Sequence, residues 1–455
     1  MGREDLIKET LAPPEKAILV GIDWKEPPGG KFMPNAWPVE ESLTELKLLA
    51  ETAGVEVLEQ FVQSLDRPHT STFIGTGKAK EIAEAAQAFG ADVVIFDDEL
   101  SPRHQRELEA IFGRGVKVID RTALILDIFA QHANTREGEL QVELAQYEYR
   151  LPRLTQAWME RALTRQAGGR AGGSTGGVGL RGPGETRLEM DRRVIRHRIS
   201  QIKADLEAVR SHRARYRAQR RRSGIPTVAL VGYTNAGKST LLNALSGSDV
   251  YVANQLFATL DPTTRRVDLP GGTAILLTDT VGFIQKLPTQ LVAAFRATLE
   301  EVIEADLLLH VIDASHPHAT EQAHAVYETL DEIGGAGLPI MIVLNKIDLL
   351  PDAQAASAAL GNMPDAIAIS ALTGYGLDTL KEQIEEVLEA EMAVVDLLIP
   401  FERGDLVSLF HEHGLIEREE HSASGTRIVG RLPAERLPEF EGFQFRRTKS
   451  HPTES

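Results

Sequence analysis

Thr227-Val-Ala-Leu-Val-Gly-Tyr-Thr-Asn-Ala-Gly-Lys-Ser-Thr-Leu-Leu-Asn-Ala-Leu245 decides the fold. Val228 to Val231 read as a buried strand. Gly232 to Ser239 spell G-x-x-x-x-G-K-S, and Leu241, Leu242 and Leu245 follow at helical spacing. In a strand–loop–helix unit of this kind, backbone N–H groups close around phosphates at a helix N-terminus. Gly232, Tyr233, Thr234, Asn235, Ala236, Gly237, Lys238, Ser239 and Thr240 are therefore expected around the phosphates. Lys238 is placed to reach the β- and γ-phosphates, and the Ser239 hydroxyl to ligate Mg²⁺.

The residues downstream choose the nucleotide. The apolar run Ile340 to Leu344 ends in Asn345-Lys346-Ile347-Asp348. A carboxylate here accepts from both N1–H and the N2 amine of guanine, whereas adenine offers neither donor and would leave it unpaired. The Lys346 stem suits a position over the base. Ser370-Ala371-Leu372, after the run Ile367 to Ile369, suit the guanine O6. GTP and GDP are thus expected over ATP.

Two loops lie between, and the residues of both are expected around the nucleotide. One is Phe257-Ala258-Thr259-Leu260-Asp261, continuing Pro262-Thr263-Thr264. The other is Asp279-Thr280-Val281-Gly282, closing the strand pattern Ala274 to Leu277. Thr259 is expected to complete the Mg²⁺ shell, with Asp279 behind it, and the Gly282 amide to meet the γ-phosphate. Thr263 and Thr264 suit that role equally on chemistry alone; Thr259 is preferred only because its spacing from Ser239 and its Phe-Ala-Thr setting resemble those of a known family. Loss of the γ-phosphate would release both loops.

Around this centre the 455 residues divide into four parts. Short apolar runs at 17–23, 92–97 and 116–120 alternate with helical stretches near 40–52, 77–89 and 102–112, which predicts a parallel α/β domain over 1–138. Two heptad seams follow in 139–222. One holds Leu140, Leu144, Tyr147, Leu151, Leu154 and Trp158; the other holds Ile195, Ile199, Ile202, Leu206 and Val209. Pro152 should kink the first. Their stripes predict an antiparallel coiled-coil hairpin, with packing on a neighbouring domain as the alternative. The GTPase domain would span 223–392, and a small α/β domain 393–455.

The hairpin's expected tip, 168–184, has nine glycines in seventeen residues and carries Arg170 and Arg181. Residues 181–222 hold fourteen Lys and Arg against five acids, a local net of +9 in a chain of −17. The remainder therefore carries −26. A basic segment on an acidic body, ending in an open glycine loop, suits RNA phosphates and unpaired bases. Arg170, Arg181, Arg187, Arg192 and Arg193 are the expected RNA contacts; a linker and a solvated helix face are the plainer readings.

With 42% apolar and 25% charged residues the chain is not disordered, and with no cysteine it has no disulfide framework or thiolate chemistry. No apolar run reaches membrane-span length, and the start lacks a signal-peptide pattern. A soluble, cytoplasmic, monomeric protein is expected. Gly75-Thr-Gly-Lys78 lacks the phosphate-loop spacing and reads as a helix cap. His310, His316, His318 and His324 lack the carboxylates of a zinc set, and Phe410-His-Glu-His413 reads as a helix face. Arg266 as an internal arginine finger cannot be placed.

The order Gly232 to Ser239, Thr259, Asp279 to Gly282, Asn345 to Asp348 and Ser370-Ala371 resembles translation-factor-class GTPases. With the glycine tip, Gly184-Glu-Thr-Arg-Leu-Glu189, Leu256-Phe-Ala-Thr-Leu-Asp-Pro-Thr263 and Asp279-Thr-Val-Gly-Phe283, the chain resembles the HflX family of ribosome-associated GTPases. The resemblance implies binding to the large ribosomal subunit and its RNA through the N-terminal domain and hairpin. It also implies dissociation of stalled or idle ribosomes in the GTP form. Phe283 stands where Ras-type sites hold a water-orienting Gln, so unaided hydrolysis should be slow. Asn235 sits where similar GTPases hold K⁺. Lys238, Thr259, Gly282 and Asn235 are accordingly the expected catalytic set. A GTPase of ribosome assembly or tRNA modification, and a GTP-stabilised RNA-binding scaffold, remain as rivals.

Overall fold

The computed structural model describes residues 14–25, 38–113, 115–154, 187–222, 225–247, 256–257, 259–286, 299, 301–335, 337–351, 363, 365–390 and 392–444. Strand β1 (Lys16–Trp24) is followed by α1 (Val39–Thr52), β2 (Glu56–Leu65), α2 (Thr76–Phe89), β3 (Val93–Phe96), α3 (Pro102–Phe112) and β4 (Lys117–Asp120). The strands form a parallel sheet in the order β2-β1-β3-β4. β1 and β3 are apolar and buried on both faces, as a helix-covered parallel sheet requires.

The three strands and three helices foreseen here are present, but β2 was not foreseen. It is an edge strand whose side chains are exposed or only partly buried, so it lacks the continuous apolar run that marked the others. Nor was α4 (Arg121–His132), which begins directly at the end of β4 with the Asp120 carboxylate accepting from Ala123 N at 3.0 Å.

Next comes α5 (Arg136–Arg150). It gives way at Pro152 to a 3-10 turn, Leu151–Arg153, and the chain from 155 to 186 lies outside the described residues. A second helix, α6 (Arg187–Arg222), runs beside it. Leu140, Leu144 and Tyr147 of α5 pack on Ile202 and Leu206 of α6, and Glu143 and Glu148 pair with Arg198 and Lys203. The two stripes thus meet along part of their length. Trp158 and the glycine tip, with Arg170 and Arg181, lie outside the described residues, so the hairpin as a whole is not seen.

The next domain contains β5 (Thr227–Gly232), α7 (Lys238–Ser246), β6 (Thr263–Asp268), β7 (Ala274–Asp279), β8 (Leu307–Asp313), α8 (Ala319–Ile333), β9 (Ile340–Asn345), β10 (Ile367–Ala368) and α9 (Leu377–Ala390). Its sheet runs β10-β9-β8-β5-β7-β6, parallel except for β6. The order places β5 between β7 and β8, so the loops following all three strands emerge at one edge, where such sheets take their ligands.

The chain closes with β11 (Ala393–Ile399), α10 (Gly404–His413), β12 (Leu415–Ser422) and β13 (Gly425–Leu432). These form an antiparallel sheet, β11-β13-β12, over a small core containing Phe410 and Phe440. Among the described residues no helix is long and apolar enough to cross a membrane.

One core crosses a boundary. Leu46, Phe129 and Tyr149 of the N-terminal half share it with Val231, Phe257, Leu260 and Phe283 of the nucleotide-site domain. Phe129 and Phe257 meet edge to face, with ring centroids 4.6 Å apart.

Candidate nucleotide site

The loop after β5 returns on itself around Lys238, the first residue of α7. The Lys238 ammonium is buried and donates to the carbonyls of Gly232 (3.0 Å) and Tyr233 (2.8 Å). Burial lowers its pKa to about 8, against a smaller opposing pull from Asp279. Thr234 N donates to Phe283 O (2.8 Å) and Phe283 N to Gly232 O (3.1 Å), which ties the phosphate loop to the loop after β7. A Cβ on Gly282 would stand 2.9 Å from Thr234 and 3.2 Å from Lys238 Nζ, so only glycine lets that backbone come so close. Asn235 is exposed at the loop's apex with φ +61°.

Ser239, Thr259 and Asp279 converge. Asp279 Oδ2 accepts from Ser239 Oγ (2.6 Å) and Thr259 Oγ1 (2.9 Å), and the two hydroxyls stand 2.9 Å apart. Asp279 Oδ1 is buried with no conventional hydrogen bond among the described residues, as is Thr234 Oγ1. Burial raises the Asp279 pKa, while Lys238 and the two hydroxyls pull it back. Two hydroxyls around a carboxylate with a spare buried oxygen form an all-oxygen donor set, which suits a hard cation such as Mg²⁺.

At the other end, Asn345 Nδ2 donates to Ala236 O and its Oδ1 accepts from Ala371 N, both at 2.9 Å. One side chain therefore joins the phosphate loop to the loop after β10. Lys346 is left-handed (φ +64°) and its ammonium pairs with Asp313 at 2.8 Å. Ile347 N donates to Ile369 O, Asp348 is exposed, and the buried Ser370 hydroxyl accepts from Thr373 N. Leu372 is exposed, and Thr280 sits beneath the site with its hydroxyl on Leu230 O. Ala258 lies outside the described residues.

Three expected nucleotide contacts face elsewhere. The Asp261 carboxylate accepts from Asn134 N (3.0 Å) and Thr135 N (2.9 Å), at the start of α5. Its place two residues after Thr259 put it near the site in sequence; its side chain turns the other way. The Phe257 ring packs on Phe129. The Tyr233 hydroxyl donates to Glu45 of α1 (2.5 Å) and accepts from Gln285 N (2.8 Å), so only its backbone belongs to the phosphate loop.

This last contact belongs to a network that sequence reasoning missed. Arg121 donates to Glu45 and, at 2.8 Å, to Asp97. Ser42 also donates to Asp97, and Lys286 pairs with Asp97 and, at 2.9 Å, with Asp98. Burial alone would raise the Asp97 pKa, but Arg121 and Lys286 carry it down to about 2. Its partners lie up to 189 residues away along the chain, and no local spacing announces them. His310, discounted as a metal ligand, is buried on β8 against Tyr327, and burial lowers its pKa to about 4. Among the described residues no cluster of metal-ligating side chains is found.

These elements define a P-loop GTPase. Family profiles match in chain order: GTP-binding GTPase N-terminal at residues 40–130, GTP-binding GTPase middle region at 132–220, 50S ribosome-binding GTPase at 227–346, and HflX C-terminal domain at 356–441. The chain is 48% identical over 387 residues to GTPase HflX of Escherichia coli strain K12, covering 85% of this chain and 88% of that one. It is 46% identical over 431 residues to GTPase HflX of Caldanaerobacter subterraneus subsp. tengcongensis, covering 95% and 94%. Among solved structures, a Sulfolobus solfataricus GTP-binding protein in complex with GDP is 26% identical, with 82% and 98% covered and a TM-score of 0.42. The chain belongs to the HflX family of GTPases.

The Lys238 pKa makes a prediction. Phosphates would hold the ammonium charged, so binding takes up a proton wherever free Lys238 is neutral, above about pH 8. GDP affinity should fall about eightfold between pH 7.5 and 9 by that linkage. Fluorescent-GDP titration measures it, and Lys238→Met should flatten the dependence. An equally steep decline in the variant contradicts the assignment. The free protein should show the opposite trend. Its burden of burying that ammonium is relieved as pH rises from about 8 toward the Lys value of 10.5, so its stability gains there.

Proposed function

We propose that this chain is a slow GTP-driven switch that binds the large ribosomal subunit, dissociates stalled or idle ribosomes in its GTP form, and is reset by ribosome-stimulated hydrolysis. The observation that carries the switch is the Ser239–Thr259–Asp279 cluster, in which a residue from each of three chain segments shares one carboxylate oxygen. Ser239 and Thr259 would hold Mg²⁺ and Asp279 would anchor its water shell; the ion supplies charge neutralisation at the phosphates. Lys238 gives up the Gly232 and Tyr233 carbonyls for phosphate oxygens. The Gly282 amide faces the γ-phosphate, and Asp348 and the Ser370-Ala371-Leu372 loop read guanine.

The nucleophile is water, and among the described residues no side chain of the site is assigned as its base. Phe283 is buried in the shared core, so it cannot orient that water, which supports slow unaided turnover. Asn235, exposed at the apex, would hold a K⁺, which would supply positive charge at the phosphates. Large-subunit binding is supported by the ribosome-binding description of the matching GTPase profile and by the basic helix α6. Arg187, Arg192 and Arg193 lie on its first turns, and Arg193 is exposed. With Arg170 and Arg181 they would contact RNA phosphates.

Sedimentation tests the partner. The chain should travel with large subunits in Mg²⁺ and a non-hydrolysable GTP analogue, at least tenfold more than with GDP, and should convert intact ribosomes to subunits. Binding should fall steeply with salt, since phosphate contacts release counterions. Equal sedimentation with both nucleotides, or preference for tRNA over subunits, would overturn the reading.

A further inference from the structure

Asp261 lies between Thr259, which touches the Ser239–Asp279 pair, and β6, whose first residue is Thr263. Its carboxylate serves the start of α5. Oδ2 accepts from the backbone amides of Asn134 and Thr135, and Oδ1 accepts from the Thr135 hydroxyl. Thr135 is the N-cap of α5, its Oγ1 accepting from Gly138 N at 3.0 Å. The helix thus begins on a composite cap, with one residue from its own strand of chain and one from 126 residues away. A carboxylate at this end also meets the positive pole of the helix dipole. Gly138 makes room: a Cβ there would stand 2.7 Å from Asp261 Oδ1.

We propose that Asp261 is the link by which the nucleotide-sensing loop sets α5, and through α5 the basic helix α6. It rests on the reading that Thr259 closes on Mg²⁺ and GTP. The connection is short and stiff. Leu260 is buried between the two contacts, and Pro262 fixes the backbone just after them. If Thr259 withdraws, Asp261 cannot keep three hydrogen bonds at fixed geometry on a helix end. Farther along, α5 carries Leu140, Leu144 and Tyr147 onto Ile202 and Leu206 of α6. Release of the cap therefore loosens the end of the helix against which the RNA-binding arm is braced. The same carboxylate that looked like a nucleotide ligand in sequence is then the transmitter of the nucleotide's state.

Hydrogen exchange on the full chain tests this. Amides of Asn134 to Gly138 should exchange at least tenfold more slowly with Mg²⁺ and a non-hydrolysable GTP analogue than with GDP. In Asp261→Ala that ratio should shrink below twofold. Thr135→Val, which touches no nucleotide residue, should keep GDP affinity and show a partial loss of the ratio. Asp261→Asn, which keeps an acceptor, should fall between Asp261→Ala and the native chain. Two results would overturn the link. If the loop at 259–261 responds to the analogue while 134–138 does not, the link fails and the switch stands. If neither segment responds, the switch reading falls and takes the link with it.

Discussion

Replacing Lys238 by Met lowers GTP turnover about a thousandfold, the upper range for removing one preorganised charge from a buried anionic transition state. The argument runs from its surroundings. Its ammonium is buried, bonded among the described residues to two loop carbonyls, and its pKa is lowered to about 8. An ammonium so placed costs the free protein about 3 kcal/mol, by the conversion of pKa shift to free energy. Phosphates return that cost when they arrive, most strongly as charge builds on the bridging oxygen. Methionine keeps the apolar stem and drops the charge. The variant should therefore lose activity without losing stability: its nucleotide-free melting temperature should equal or exceed that of the native chain. A variant that melts well below the native chain and loses activity only in proportion would show that Lys238 serves the fold instead.

Arg121→Met lowers stability by about 3 to 5 kcal/mol, the cost typical of stripping one partner from a buried ion cluster. Arg121 is fully buried and holds Glu45 and Asp97. Without it, Glu45 keeps, among the described residues, the Tyr233 hydroxyl, while Asp97 retains Ser42 and Lys286. Glu45 is thus the more exposed to the loss. Arg121→Met combined with Glu45→Gln should recover more than half of it, because Gln is neutral and still accepts from Tyr233. Denaturant unfolding measures both. A loss below 1 kcal/mol, or no recovery in the double variant, would show that the cluster carries little of the contact between the two domains.

The contrast between these two residues explains what could be read from the chain. Lys238 was legible because the phosphate loop is a local device: its glycines, lysine and hydroxyl sit at fixed offsets between a strand and a helix. The Asn345-Lys346-Ile347-Asp348 motif stands out for the same reason, being a fixed run at the end of an apolar strand. Arg121 was not, because its partners Glu45 and Asp97 come from α1 and the end of β3, and its indirect partners Tyr233 and Lys286 come from another domain. Asp261 marks the boundary between the two cases. Spacing from Thr259 fixed its neighbourhood, but direction of a side chain in a loop has no period, and the residue turned toward α5. The edge strand β2 escaped notice because its exposure removed the apolar run on which the other strands were recognised. For the paired helices, heptad spacing found Leu140, Leu144, Tyr147, Ile202 and Leu206, and the proline at 152 marks where α5 gives way to a 3-10 turn.

The most direct measurement is GTP turnover in K⁺ buffer with and without purified large ribosomal subunits, using Lys238→Met as the blank. The account predicts stimulation of tenfold or more by subunits, abolished when residues 168–184 are removed, and a K⁺-over-Na⁺ advantage that Asn235→Ala eliminates. Equal rates with and without subunits would contradict the ribosome-triggered switch.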